Sequence, residues 1–297
     1  MLRHAPFTVR QRVAGFVALT KPRIIELLLI TTVPTMIVAE RGMPSGWLML
    51  NTVLGGTLAA GGANAINMYV DRDIDRIMER TKGRPLVQGV MEPRSALVFA
   101  VIIEAIAFAW LWYWVNLLSA VLALAACLFY VFIYTLWLKR TSTQNIVIGG
   151  AAGAAPVLIG WSAITNTVDW APVVLFALMF FWTPPHFWAL AIKYRDDYSS
   201  VDVPMLPSVA SLGKTSQQIL VYTVIVWAFS LIFWPVAELG AVYLGAAVVL
   251  GGLFTLLAVK LLREPTTKAA MKVFTYSITY VTLLFGAMVL DVLIEAA

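Results

Sequence analysis

The chain changes from apolar to charged at Asn64-Ala-Ile-Asn67-Met-Tyr-Val-Asp71-Arg-Asp-Ile-Asp75. A helix turns about 100° per residue, so side chains four positions apart share a face. We therefore predict one helical face that carries Asn67, Asp71 and Asp75, with Asn64 one turn earlier. Carboxylate and amide oxygens suit Mg²⁺, which is held by few carboxylates together with substrate phosphates. The spacing alone also permits a solvated loop of mixed charge.

Composition places this stretch in a membrane protein. The 297 residues are 61% hydrophobic and only 12% charged, and the mean hydropathy is +0.84. Crossing the hydrocarbon core takes roughly 20 apolar residues. We predict an all-α polytopic membrane protein, a bundle of about nine transmembrane helices. The apolar stretches lie near residues 24–40, 46–66, 95–115, 118–138, 144–164, 170–192, 217–237, 240–262 and 271–293.

The basic residues set the orientation of this bundle. Apart from Arg41, every Lys and Arg lies in the N-terminal segment or follows an even-numbered predicted span. The positive-inside rule then predicts a cytoplasmic N-terminus and a bacterial cytoplasmic (inner) membrane location. We expect one transmembrane domain over residues 1–297, with residues 1–20 as a cytoplasmic tail. This placement explains the pI of about 9.3 without a nucleic-acid partner.

A second charged cluster follows the sixth predicted span, Lys193-Tyr194-Arg195-Asp196-Asp197-Tyr198. Two acidic clusters on the cytoplasmic side could hold a diphosphate through bridging metal ions. Lys and Arg would neutralise the remaining phosphate charge, and Arg can bind phosphate with two hydrogen bonds. Alternatively, the basic residues of this cluster only mark the end of the membrane helix. The candidate cations are Lys82, Arg84, Lys139, Arg140, Lys193 and Arg195.

One histidine and two acids lie inside predicted spans. His186 follows the double proline Pro184-Pro185, which we expect to kink or unwind the helix. Its role could be structural, that of a proton donor, or that of a metal or haem ligand. Glu104 is a site candidate because an ionisable group within a membrane is costly. Glu26 lies only one turn into the first span.

Several phrases of the sequence match a known family. They include Asn67-x3-Asp71-x3-Asp75 with Arg84-Pro85, Thr20-Lys21-Pro22-Arg23, and Lys139-Arg140-Thr141 before Gln144-Asn145-Ile146-Val147-Ile148-Gly149-Gly150. They continue with Gly160-Trp161, Trp182-Thr183-Pro184-Pro185-His186-Phe187-Trp188 and Val203-Pro204-Met205-Leu206-Pro207. These phrases, between about residues 20 and 210, resemble the UbiA superfamily of intramembrane prenyltransferases, and within it the branch that acts on haem. Ala155-Pro156 and Val201-Asp202 depart from that pattern.

The resemblance implies transfer of the farnesyl group of farnesyl diphosphate to a vinyl group of haem b. Water is incorporated, haem O and diphosphate are released, and Mg²⁺ is the cofactor, while haem b is a substrate. The catalytic residues implied are Asn67, Asp71, Asp75, Asp196, Asp197 and Lys193, all but Lys193 being metal ligands. The substrate-binding residues implied are Asn64, Arg72, Arg84, Lys139, Arg140, His186, Tyr194 and Arg195. A haem A synthase is an expected partner beside the lipid bilayer.

Three other functions compete with this interpretation. A related prenyltransferase of an aromatic quinone precursor would share the acidic clusters but does not need the Pro-Pro-His segment. A secondary transporter would place its charges near the membrane midplane, whereas here only Glu104 does so clearly. A non-catalytic haem chaperone is less consistent with a single intramembrane histidine.

Overall fold

The computed structural model is all-helical over the part of the chain that it describes, residues 7–22 and 24–296, with side chains from residue 30 onward in the second helix. His4 and the side chain of Glu26 lie outside this description. The helices are α1 Val9–Leu19, α2 Ile24–Glu40, α3 Gly46–Val70, α4 Pro93–Trp114, α5 Leu117–Leu128, α6 Lys139–Thr141, α7 Asn145–Thr165, α8 Trp170–Lys193, α9 Arg195–Ser199, α10 Leu206–Val209, α11 Leu212–Val236, α12 Ala241–Arg263 and α13 Thr267–Glu295.

Seven of the described helices are long and apolar enough to cross a membrane. They correspond to the third to ninth predicted spans, with α5 continuing through residues 129–141 as one segment. The second predicted span forms α3, whose polar residues, including Asn51 and Asn64, lower its hydropathy. The first forms α2, of which Ile30–Glu40 is described as a shorter apolar helix. The count of nine spans stays a prediction.

The helix that carries the first acidic motif ends earlier than predicted. α3 stops at Val70, and Asp71 is its C-terminal cap, with φ −80° and ψ 0°. A short 3₁₀ turn over Ile74–Arg76 follows. The single helical face through Asp75 was therefore wrong, although the Asp75 amide still donates to the Asp71 carbonyl at 2.9 Å. The turn brings Asp75 back under the helix end instead of along its axis.

The double proline was predicted to kink or unwind its helix, and unwinding is wrong. α8 runs from Trp170 to Lys193 through Pro184 and Pro185. Contacts with α13 hold it there: the Trp182 indole donates to the Ser277 carbonyl at 2.9 Å, and His186 bonds the Ser277 hydroxyl at 2.7 Å. These bonds fasten α8 to α13 on both sides of the two prolines.

A segment of wide helical turns joins α5 to α6. Residues Phe129–Leu138 form a π-helix, in which each hydrogen bond spans five residues. Tyr130 and Tyr134 stack with ring centroids 5.3 Å apart, and Thr135 is fully buried. This segment places Thr135 and Lys139 against the end of α3.

Glu104 lies between α3 and α4 and bonds Cys127 of α5. A Cβ on Gly62 would lie 2.5 Å from the Glu104 carboxylate and 3.2 Å from the Ala100 carbonyl oxygen. Gly62 thus leaves the space in which the Glu104 side chain fits. Glu104 Oε2 is buried at this helix interface and has no hydrogen-bond partner among the described residues.

Asp291 of α13 caps the N-terminus of α12. Its buried carboxylate accepts hydrogen bonds from the Tyr243 amide at 3.0 Å and from the Gly240 amide. A negative charge at this end also complements the helix dipole. The bond ties the last two membrane helices together.

We expect Asp291→Ala to lower the free energy of unfolding by about 1–3 kcal/mol, because two buried amides lose their acceptor. Thermal unfolding in detergent micelles measures the effect. Glu238→Ala is the matched control, since Glu238 pairs with Arg41 at 2.9 Å but is 80% exposed. Equal losses in the two variants would contradict the capping role.

Candidate active site

The first acidic motif forms a buried polar centre at the end of α3. Asn67, Asp71 and Asp75 are 3%, 0% and 2% exposed. The Asn67 amide donates to Asp71 Oδ2 at 2.8 Å and to Thr135 Oγ1 at 3.2 Å. Asn67 and Asp71 therefore form one hydrogen-bonded unit that the π-helix supports.

Cations from the α5–α6 segment neutralise this centre. Lys139 forms an ion pair with Asp71 Oδ2, and Arg140 lies 3.8 Å from Asp71 Oδ1. Arg140 also binds Asp73 with two hydrogen bonds of 2.7 Å. These bonds lower the pKa of Asp73 to about 2, so it stays ionised. The predicted residues Lys139 and Arg140 thus meet the predicted acid Asp71.

The loop after α3 folds Asp75 onto a second cation. Arg84 Nη1 lies 2.5 Å from Asp75 Oδ2, and the Thr81 hydroxyl donates to the Asp75 carbonyl at 3.1 Å. Both carboxylates of the first motif consequently face a buried or half-buried cation. This arrangement has oxygen ligands and phosphate-binding cations in one place.

Lys21 completes the centre, and sequence reasoning did not include it among the site residues. Its Nζ donates to Asn67 Oδ1 at 3.2 Å. Burial lowers the pKa of Lys21 to about 7, with Arg84 and Lys139 adding to this effect while Asp71 and Asp75 oppose it. The signal that could have identified Lys21 is the Thr20-Lys21-Pro22-Arg23 phrase. Its backbone is left-handed, with φ +51°.

The second acidic cluster meets the first through Asp197. Its two carboxylate oxygens accept from the Glu79 and Arg80 amides at 3.3 and 3.1 Å. Arg80 in turn lies over the rings of Tyr194 and Tyr198, at 5.8 and 6.0 Å. An open cleft on the same side as the first motif is lined by Glu79, Arg80, Lys193, Tyr194, Asp196 and Asp197.

Other predicted residues lie away from the buried centre. Asn64 is buried one turn deeper and donates to the Ala60 carbonyl at 2.8 Å. Arg72 turns outward over the Tyr69 ring at 4.5 Å. The Asp196 side chain is 96% exposed, and its carboxylate pairs with Arg195 at 3.4 Å. Lys193 lies over Tyr194 at 5.4 Å.

The ring of His186 is clamped on both faces. Trp182 stacks at 4.3 Å and Phe274 at 4.7 Å between ring centroids. The Ser277 hydroxyl donates its only hydrogen to the Phe274 carbonyl at 2.6 Å. With its hydrogen on that carbonyl, the hydroxyl accepts from His186 Nδ1, and Nε2 is then the unprotonated nitrogen. Within the described part of the chain, Nε2 has no hydrogen-bond partner.

The side-chain oxygens at this centre show whether it suits the predicted Mg²⁺. Among the described residues, no group of three or more His, Cys, Asp or Glu side chains could hold an ion by itself. However, Asp71 Oδ1 is buried without a hydrogen-bond partner in this region. Asn67, Asp71 and Asp75 supply hard oxygen ligands beside cations that suit phosphate. This composition fits Mg²⁺ arriving with a diphosphate better than a closed protein cage.

Sequence comparisons agree with these motifs. Residues 28–285 match the model of the UbiA prenyltransferase family. A protein of Clavibacter michiganensis named protoheme IX farnesyltransferase is 53% identical over 293 residues, covering 96% of this chain and 94% of its own length. One of Streptomyces coelicolor with the same name is 50% identical, covering 97% and 93% of the two chains.

Solved structures share the fold. One, described as digeranylgeranylglyceryl phosphate synthase, aligns with a TM-score of 0.78 at 18% identity and covers 95% of this chain and 98% of its own. A UbiA homologue of Archaeoglobus fulgidus bound to GPP and Mg²⁺ aligns with a TM-score of 0.60 at 14% identity, covering 92% and 99%. At these identities the likeness concerns the fold.

Proposed function

The chain belongs to the UbiA prenyltransferase family, and we propose on this basis that it farnesylates haem b to give haem O. The observation that carries the choice of substrates is the identity of about 50% to relatives named protoheme IX farnesyltransferase over nearly the whole chain. The Asn67–Asp71–Asp75 centre supports a prenyl diphosphate as the donor.

The reaction breaks the bond between farnesyl C1 and the diphosphate oxygen. The terminal carbon of a haem vinyl group bonds to C1, water oxygen adds to the other vinyl carbon, and a proton is released. Lys21, Lys139 and Arg84 lie where they can bind the diphosphate and stabilise the negative charge that develops on it. The surrounding helices exclude water from the allylic cation until the vinyl carbon reacts.

The metal assignment is part of this proposal. Asn67, Asp71 and Asp75 would hold Mg²⁺, with Asp196 or Asp197 as further ligands from the second cluster. When bound, the ion withdraws charge from the diphosphate leaving group. Asp71 Oδ1 supports this placement, because it accepts no hydrogen bond among the described residues and faces only the Arg140 guanidinium at 3.8 Å. Lys139 and Arg84, the proposed phosphate-binding cations, pair with Asp71 and Asp75 among these ligands.

His186 is the proposed contact to haem. Trp182 and Phe274 cover the ring faces, Phe187 lies at right angles to the ring at 5.3 Å, and Nδ1 is anchored, which leaves Nε2 as the nitrogen available to a ligand. A neutral imidazole held in this way suits coordination of iron, because the second hydrogen bond fixes the tautomer. Tyr194 and Arg195, which were also predicted to bind substrate, belong to the second acidic cluster, and we assign them to the cytoplasmic entrance of the site.

We expect His186→Ala to weaken haem b binding about tenfold or more, since a ligand and a buried hydrogen bond are lost. Binding of farnesyl diphosphate should change much less. Difference absorption spectra of the haem and calorimetry of the diphosphate measure the two affinities. Ser277→Ala is the matched control, because it removes the anchor but keeps the imidazole. If His186→Ala lost affinity for haem b and for farnesyl diphosphate equally, the assignment would be contradicted.

The function itself is tested with the purified protein, haem b, farnesyl diphosphate and Mg²⁺, by mass analysis of the pigment. The expected product is haem O, and chelation of Mg²⁺ should stop its formation. Transfer of the prenyl group to 4-hydroxybenzoate without any farnesylated haem would support the quinone-precursor alternative instead. The proposal places this site on the cytoplasmic side of a bacterial inner membrane, with a haem A synthase as the partner that uses the product.

A further inference from the structure

An apolar groove lies between α1 and the first half of α4, apart from the site above. Val13, Phe16, Val17 and Thr20 form one wall. Val98, Phe99 and Ile102 form the other, with Arg94 and Ser95 at one end. Val17 and Val98 are 53% and 57% exposed. Both valines are therefore accessible to a molecule that enters the groove.

Packing contacts fix the direction of the groove. A Cβ on Gly15 would meet the Met91 and Val90 side chains just before α4, whereas Thr20 lies 3.1 Å from the Cβ position of Gly61, next to Ile103. The Phe16 and Phe99 rings are 5.0 Å apart. α1 and α4 therefore run in the same direction, and the groove extends about 12 Å from Arg94 to Ile102.

The cations gather at one end of this groove. Arg94 lies in the first turn of α4, and Arg10 and Arg12 lie in the first turn of α1, at the same end. All three are exposed, and none of their side chains makes a hydrogen bond or ion pair with another described residue, although the Arg12 backbone amide donates to the Thr8 carbonyl at 3.0 Å. Glu92 is the nearby acid that offsets part of their charge. The groove thus has a cationic rim and an apolar interior.

We propose that this groove binds one anionic phospholipid. The headgroup phosphate lies at Arg94 with Arg10 and Arg12 beside it, and an acyl chain lies between Val17 and Val98. An amphipathic helix with exposed valines on one face and arginines next to them is typical of a membrane-surface helix. Each such cation contributes about 1 kcal/mol towards an anionic lipid surface, so charge complementarity favours an anionic over a zwitterionic headgroup.

The test uses the full-length protein in detergent and diazirine-bearing phosphatidylglycerol or phosphatidylcholine. Labelled peptides identified by mass spectrometry should map to residues 13–20 and 95–102. The label should be more than about fivefold greater for phosphatidylglycerol than for phosphatidylcholine, because one cation accounts for about fivefold and three cations lie at this end. Arg94→Gln should reduce the phosphatidylglycerol label about fivefold. Arg263→Gln, at the cytoplasmic end of α12, is the matched control and should not.

A second pair of variants tests the apolar part. Val98→Trp fills the groove and should reduce labelling by both lipids, whereas Val249→Trp, at an equally exposed position of α12, should not. Thermal unfolding confirms that each variant is folded. Uniform labelling of the membrane surface, equal labelling by the two lipids, or a lipid-independent dimer with α1 at its interface would overturn the proposal.

Discussion

Asp71→Asn should reduce farnesyl transfer by about a hundredfold or more, because one charged group that serves the leaving diphosphate is lost. Asp71 is fully buried, accepts from Asn67, and pairs with Lys139. Asparagine keeps the size of the side chain but removes its charge. The rate of haem O formation, measured by mass spectrometry at saturating haem b and Mg²⁺, gives the effect.

Asp202→Asn is the control for this substitution. Asp202 is exposed on the same loop as the second cluster, and its φ of +52° is one that asparagine adopts readily. Its activity should stay within about twofold of the parent. Full activity of Asp71→Asn, in protein that is inserted and folded, would exclude Asp71 from the metal and diphosphate site.

Lys139→Met should destabilise the protein by about 3–5 kcal/mol, because it leaves the buried Asp71 carboxylate without its main counter-charge. The Lys139 side chain is 14% exposed, so solvent replaces little of this interaction. The same variant should lose most of its affinity for farnesyl diphosphate. Denaturant unfolding in micelles and calorimetry of diphosphate binding measure the two effects.

A double variant separates the two roles of Lys139. Asp71→Asn with Lys139→Met removes both charges, so most of the lost stability should return while transfer stays absent. Lys268→Met, at an exposed position of α13, controls for the general loss of a lysine. If the single and double variants were equally unstable, the pairing of Lys139 with Asp71 would not be the cause.

Much of the fold could be predicted from the sequence because lipid requires long apolar helices. The predicted span 170–192 is the helix Trp170–Lys193, and 240–262 is Ala241–Arg263. The two adjacent prolines did not predict the local backbone, since α8 continues through Pro184 and Pro185. Its contacts with Ser277, 95 and 91 residues away from the bonded Trp182 and His186, have no local signal.

The candidate site was predicted in part. Residue types and spacing identified Asn67, Asp71 and Asp75, but not where the helix ends. That end depends on Lys139, 68 residues from Asp71, and on the turn that brings Arg84 to Asp75. Lys21 was missed as a site residue for the same reason, because its partner Asn67 is 46 residues away. Long-range ion pairs are not visible in a local pattern.

The position of Lys139 at the site depends on the number of residues in the π-helix 129–138. Thr135 and Lys139 both reach the α3 end, to Asn67 and Asp71. In a regular α-helix, removing one residue between them would turn Lys139 by about 100° relative to Thr135. Wide turns of this kind contain one residue more than an α-helix of equal pitch. This segment should therefore tolerate substitutions on its lipid-facing side far better than it tolerates an insertion or a deletion.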